Sequence, residues 1–175
     1  MITKWAHHLY RYDCGLFHSL NCLFERKALN IFFSRITYFG GATFTIIFCL
    51  FIILFAESPV KMWGIESGLA LLFSHLIVML IKKIYPRERP YLSIKEAYVD
   101  INPLKDHSFP SGHTTAIFSV ITPFIIHLPI TSLILYPIGF CVGASRVVLG
   151  LHYPSDVLAG ALLGSLFAIL AVSIF

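Results

Sequence analysis

The feature that most constrains this chain is where it carries no charge. Thr114–Ser145 runs for 32 residues without a Lys, Arg, Asp or Glu, Ile36–Phe55 for 20, and Val157–Phe175 for 19. Ser67–Ile81 is apolar apart from Ser67, Ser74 and His75. A helix needs about 20 apolar residues to cross a bilayer. The longest stretch therefore holds two helices, and His127-Leu128-Pro129 is the natural place to turn back. These lengths predict an all-α integral-membrane bundle of five spans, near 32–56, 62–84, 111–127, 129–149 and 154–175, forming a single domain over 1–175. Composition agrees: the chain is 57% hydrophobic and 13% charged, against roughly 45–50% apolar residues in soluble domains.

Residues 1–28 follow another pattern. Trp5, Leu9, Tyr12, Leu16, Leu20, Leu23 and Phe24 recur at spacings of three and four, with Lys4, His7, His8, Arg11, His18 and Glu25 on the other side. This predicts an amphipathic helix lying in the membrane interface. Asp13 interrupts its apolar face and Gly15 weakens it, so a helix packed on the bundle is the alternative. Met1–Lys27 lacks the continuous apolar core of a cleavable signal peptide. Cys14, Cys22, Cys49 and Cys141 show neither zinc-ligand spacing nor a disulfide framework. The net charge of +4, in a membrane chain, points to anionic headgroups or phosphate as partners rather than to nucleic acid. No obligate protein partner is indicated.

Five spans place the N-terminus, the Tyr85–Pro110 loop and the Gly150–Pro154 turn on one face. The loop carries Arg87, Glu88, Arg89, Lys95, Glu96, Asp100, Lys105 and Asp106, and loops of this length are usually functional or disordered. Three clusters meet on that face: Lys82 with Arg89, Pro110-Ser111-Gly112-His113, and Ser145-Arg146 with His152 and Asp156. A single cation at a span end is explained by snorkelling to headgroups. Three ionisable clusters converging at one bilayer edge require more, because charge near a span is costly.

Each cluster offers a role in binding and transferring a phosphoryl group. Pro110 suits the first turn of a helix, which leaves the N–H groups of Ser111, Gly112 and His113 as an anion site at a positive dipole end. Gly112 lets an anion approach the backbone. Lys82, Arg89 and Arg146 can surround the same anion, the arginines through bidentate hydrogen bonds. Asp156, four residues after His152 across a helix start, can reach one ring nitrogen and leave the other nucleophilic. His113 remains as the acid for a departing alkoxide and the base for water. In-line positioning and charge stabilisation are what phosphoryl transfer needs. The set supplies both without a metal, and no carboxylate cluster with metal-ligand spacing occurs, so neither metal nor cofactor is expected.

Lys82, six residues, Arg89-Pro90; then Pro110-Ser111-Gly112-His113; then Ser145-Arg146, five residues, His152, three residues, Asp156: this resembles the three-part signature of the type 2 phosphatidic acid phosphatases, whose superfamily includes the vanadium haloperoxidases. The match covers about 75 residues and is complete in residue type and spacing. The resemblance implies a helical bundle that removes phosphate from lipids without a metal. It implies His152 as nucleophile forming a phosphohistidine, Asp156 as its orienting carboxylate and His113 as general acid. Lys82, Arg89, Ser111, Gly112 and Arg146 are then the phosphate-binding residues. Many members have six spans, whereas this sequence predicts five and an amphipathic segment.

Candidate substrates are phosphatidic acid, phosphatidylglycerol phosphate and undecaprenyl diphosphate, as in the bacterial membrane branch of that family. Gly112 and Lys82 lean toward the glycerophospholipid type. A haloperoxidase would be larger and soluble. A non-catalytic lipid-binding or transport protein keeping the fold would be expected to lose His152, Asp156 or His113, and all three are present. Glu66 is expected to reach headgroups at the far end of its span, and His75 to be a satisfied histidine inside the bundle or, alternatively, part of a proton or substrate path. Sidedness is contested. Of 13 Lys and Arg, 12 lie on the active-site face and only Lys61 on the other, which the positive-inside rule places in the cytoplasm. The family resemblance implies an outward-facing site.

Overall fold

The structure, a computed structural model, describes residues 2–99 and 106–175, with side chains from residue 8 onward. Asp100 and Lys105 of the charged loop, and the side chains of Lys4, Trp5 and His7, lie outside the described residues. Among the described residues the regular structure is helical, without strands. In chain order the helices are α1 (Ile2–Asn21), α2 (Lys27–Ile36), α3 (Ala42–Phe55), α4 (Val60–Ile84), the single turn α5 (Pro90–Ser93), α6 (Gly112–His127), α7 (Ser132–Val148) and α8 (Pro154–Ile174).

α6 is the central helix, packed on α8, α4 and α7. Every residue from Thr114 to Pro123 is buried. Its small and hydroxyl-bearing residues let neighbours come close, and α8 meets it with the pair Gly160 and Gly164, a small-xxx-small stripe that brings membrane helices into backbone contact. A Cβ on Gly164 would stand 2.3 Å from the carbonyl oxygen of Thr115, and one on Gly160 would stand 2.6 Å from that of Ser111. Hydroxyls tie α4 to the same helix: Ser67 Oγ donates to the Val120 carbonyl at 2.9 Å, and the Ser74 and Ser119 hydroxyls pair at 2.9 Å.

The span count differs from the sequence expectation. Among the described residues three helices are long and apolar enough to cross a membrane, Val60–Ile84, Pro129–Val148 and Pro154–Ile174. A fourth span results if Lys27–Gly40 and Ala42–Phe55, bent by 50° at their junction, count as one. The expected continuous span over 32–56 is therefore broken, and the break falls at Gly40-Gly41. α6, the expected third span, has 16 residues, about 24 Å at 1.5 Å per residue, shorter than a hydrocarbon core of about 30 Å. It is held by its neighbours rather than by lipid.

α1 combines the two expected roles. Leu9, Tyr12 and Leu16 are exposed on one side, available to a membrane surface. On the other, Phe17 is buried against Val147 and Tyr153, and Asn21 donates to the carbonyls of Tyr98 and Val148 at 2.9 Å each. Asp13, an interruption in the sequence pattern, is buried on this docking side.

At the opposite end of the bundle, Glu66 departs from expectation. It is fully buried and pairs with His127 at 2.8 Å, where Trp63 stacks on the imidazole with ring centroids 5.4 Å apart. Its carboxylate is satisfied by α6 rather than by headgroups.

Candidate functional site

Helix ends and one tight turn assemble the site. Arg146 sits in the last turn of α7. Gly150 then takes φ +75°, the left-handed conformation glycine adopts without strain, and a Cβ there would stand 2.1 Å from the Tyr98 carbonyl oxygen. The reversal brings the N–H groups of Leu151 and His152 onto the Arg146 carbonyl at 3.0 and 3.1 Å. Tyr153 caps α8, Pro154 begins it, and Asp156 in its first turn accepts from the Tyr153 N–H at 2.9 Å. His152 is thus fixed by backbone on both sides, and it is 2% exposed.

The two ring nitrogens of His152 face different surroundings. Nδ1 lies 3.6 Å from Asp156 Oδ2 and 3.5 Å from Ser108 Oγ. The expected direct hydrogen bond to Asp156 is looser than predicted, because that oxygen already accepts from Ser108 Oγ at 2.5 Å and from the Tyr153 N–H. The other carboxylate oxygen accepts from Arg87 Nη1 at 2.7 Å. Arg87 also donates to Asp13 at 2.6 Å and lies 3.9 Å over the Tyr153 ring. Asp13 in turn accepts from the Ser155 N–H at 2.9 Å and the Ser155 hydroxyl at 2.5 Å. Burial would lower the Arg87 pKa, but Asp156 and Asp13 outweigh it and raise the value.

Nε2 faces the cations, with Arg89 Nη1 at 3.3 Å. Arg89 is buried and donates to the carbonyls of Leu151 and Asp106 at 2.7 Å each and to the Asp106 carboxylate at 2.5 Å. Lys82 pairs with the same carboxylate. Burial would raise the Asp106 pKa, but Lys82 and Arg89 hold it down to about 2. Arg146 is 3% exposed; its Nη1 donates to Thr37 at 2.7 Å, while its Nε has no partner among the described residues. Burial above all, then Arg146 and Arg89, push the His152 pKa down to about 4, against the opposing pull of Asp156.

The N-terminus of α6 differs from expectation in one respect. Ser111 is its cap and Pro110 lies outside the helix. The Ser111 N–H is taken, donating to the Asp156 carbonyl at 3.1 Å, and its hydroxyl pairs with Thr114 at 2.9 Å. Two N–H groups, those of Gly112 and His113, are left for an anion rather than three. Around Gly112 there is open space where a Cβ would stand.

A cavity of about 570 Å³ joins these groups. Lys82, Arg89, Asp106, Gly112, His113 and His152 line one end, and the remainder runs between α3 and α4 past mostly apolar side chains. The structure therefore brings Lys82, Arg89, Gly112, His113 and His152 to one space, with Asp156 and Ser111 behind it and Arg146 buried beside it.

Comparison with known proteins identifies the family. The model of the PAP2 superfamily matches residues 63–175. The chain belongs to the PAP2 superfamily. It is 33% identical over 107 residues to a lipid A 1-phosphatase of Rhizobium johnstonii, covering 59% of this chain and 44% of the relative. It is 32% identical over 114 residues to an undecaprenyl-diphosphatase of Sulfolobus acidocaldarius, covering 62% and 55%. The chain thus spans about half the length of these curated relatives. Its fold is similar to that of Aquifex aeolicus LpxE, with TM-score 0.79 and 27% identity over 91% of this chain and 93% of that one. It is also similar to a transmembrane PAP2-type phosphatidylglycerolphosphate phosphatase from Bacillus subtilis, with TM-score 0.77 and 25% identity over 95% and 86%.

Arg87, Asp13, Ser108 and Asp106 are the site residues that sequence reasoning did not single out. For Asp13 a signal existed: a carboxylate on the apolar face of an amphipathic helix needs a buried partner. Ser108 and Arg87 carry no comparable local sign.

Proposed function

We propose that this chain is a metal-independent lipid phosphatase that hydrolyses a lipid phosphomonoester or prenyl diphosphate through a phosphohistidine on His152. The observation that carries this reading is the single cavity with His113, His152, Lys82 and Arg89 at one end and apolar helix faces along the rest. A charged headgroup fits the first part and a hydrocarbon tail the second. The buried Arg146 Nε without a partner adds support, since an unsatisfied buried donor is costly and an oxyanion would satisfy it.

In this mechanism the Nδ1–H of His152 faces Asp156 and the Nε2 lone pair attacks phosphorus. The phosphorus–oxygen bond to the lipid breaks in line, and His113 gives its proton to the leaving oxygen. His113 then takes a proton from water, whose oxygen attacks the phosphohistidine; the phosphorus–nitrogen bond breaks and phosphate leaves. Lys82, Arg89, Arg146 and the N–H groups of Gly112 and His113 hold the phosphoryl oxygens. Asp106, now paired with Lys82 and Arg89, gives way to the substrate.

The substrate candidates are phosphatidic acid, phosphatidylglycerol phosphate and undecaprenyl diphosphate. The test is phosphate release from each by the purified full chain in detergent, without and with EDTA. Release by the wild type, falling on the order of 10³-fold or more in His152→Ala, is the expected result. No release from any lipid, or full activity in His152→Ala, overturns the reading; loss of activity on adding EDTA overturns metal independence. On family resemblance we assign the site to the outer face. An impermeant thiol reagent should label Lys95→Cys on intact cells in a background lacking the other cysteines, and protection there reverses the assignment.

A further inference from the structure

His75 is not satisfied inside the bundle. It lines the cavity and is exposed, without a hydrogen-bond or ion-pair partner among the described residues. Gly68, Leu71, His75, Val78 and Lys82 form one stripe of α4 along the cavity wall, as spacings of three and four require. His75 and Lys82 are seven residues apart, two turns and about 10 Å along the axis. The imidazole therefore stands below the phosphate end, within the span, among apolar residues of α3 and α4 such as Ile46, Cys49 and Leu72.

A polar side chain at that depth is costly unless it meets a partner. The same helix shows that this chain does pair such groups: Glu66 finds His127, and Ser67 and Ser74 find α6. His75 alone of the four faces the cavity, so its partner is sought in what fills the cavity. That partner cannot be the phosphate, which Lys82 and Arg89 hold two turns away. It is a polar group that follows the phosphate by a few bonds and precedes the hydrocarbon. An acylated phospholipid has one there, the carbonyl of its ester or amide linkage. A prenyl diphosphate has none, being hydrocarbon from its first carbon.

We propose that His75 is a specificity-determining residue whose ring N–H donates to the acyl carbonyl of the substrate, so that the chain prefers acylated lipid phosphates to prenyl ones. This rests on the phosphatase reading and narrows it. The experiment measures kcat/KM of the purified full chain on four lipids: an ester-linked phosphatidic acid, its ether-linked analogue without carbonyls, ceramide 1-phosphate with an amide carbonyl, and farnesyl diphosphate. The wild type is expected to favour the ester over the ether form about 10-fold, as for loss of one buried hydrogen-bond partner. In His75→Leu the ester-to-ether ratio collapses toward one and the ester-to-farnesyl ratio falls by a similar factor, and His75→Gln, which keeps a donor, restores part of the ester preference. Ceramide 1-phosphate following the ester identifies any acyl carbonyl as sufficient; following the ether form, it restricts the partner to an ester. Ratios unchanged in His75→Leu, with phosphate still released, overturn this assignment alone. No release from any lipid by the wild type overturns the phosphatase reading and this assignment with it.

Discussion

The two sides of the His152 ring are built on opposite principles. On the Nδ1 side every group has a protein partner: Asp156 holds Ser108, the Tyr153 N–H and Arg87, and Arg87 is itself held by Asp13, which Ser155 secures. On the Nε2 side the donors outnumber their acceptors. Among the described residues Arg146 Nε lacks a partner and the Gly112 and His113 N–H groups make no hydrogen bond, while Lys82 and Arg89 share one half-exposed carboxylate. A closed network fixes geometry, because each member is over-determined. An open set of donors keeps capacity for a ligand. The proposed nucleophile stands where the two meet, so the fixed side can aim the ring at whatever the open side collects.

The largest test of this contrast lies on the open side. Arg146→Lys keeps the charge but removes the planar fork and the orphan Nε, and it should lower kcat about 10²-fold, the scale for losing one donor to a developing oxyanion. Activity within threefold of wild type would mean that Arg146 only packs. On the closed side, Asp13→Asn should lower kcat about 10-fold, as supporting partners of site residues do, with KM nearly constant. In an Asp156→Asn background the same change should have no further effect, since Asp13 would act through Asp156. Additive losses would reduce Asp13 to a docking contact of α1.

A third test uses pH. The His152 pKa is lowered to about 4 by burial and by Arg146 and Arg89, whereas an unfolded imidazole titrates near 6.5. Between those values the unfolded chain binds a proton that the folded chain refuses, so stability falls as pH drops from about 6.5 toward 4. The melting temperature of wild type in detergent, relative to His152→Gln, should fall across that window. A constant difference would place the ring in a more solvated setting than the closed side implies. The smallest effect concerns Asp106. Removing its exposed pairing in Asp106→Asn should lower KM about threefold, in line with the modest strength of such pairs, and a rise in KM would show that it assists the substrate instead.

Much of this was legible in the sequence, for a physical reason. Charge is excluded from lipid, so the charge-free stretches had to become helices, and the ionisable residues were left at their ends. Lys82, Arg89, His113 and His152 accordingly meet where their span-end positions predicted. What stayed hidden depends on contacts between distant segments. Asp13, Arg87, Ser108 and Asp156 come from four separate parts of the chain, and no spacing rule links them. The bend at Gly40-Gly41 was concealed because hydropathy reads composition and not direction. Glu66 was misread because its partner, His127, lies 61 residues away. His75 is the reverse case: a polar residue inside a span implies a partner, and none of the described side chains supplies it.

The glycines at 160 and 164 carry a consequence for catalysis by bare geometry. They let α8 rest on the backbone of α6, and those two helices begin at the proposed nucleophile's carboxylate and at the proposed acid. The gap between the two imidazoles is therefore calibrated several ångströms away, by two hydrogen atoms standing where any other residue would place carbon. A methyl wedge at Gly160 would prise the pair apart while leaving every reactive group chemically untouched.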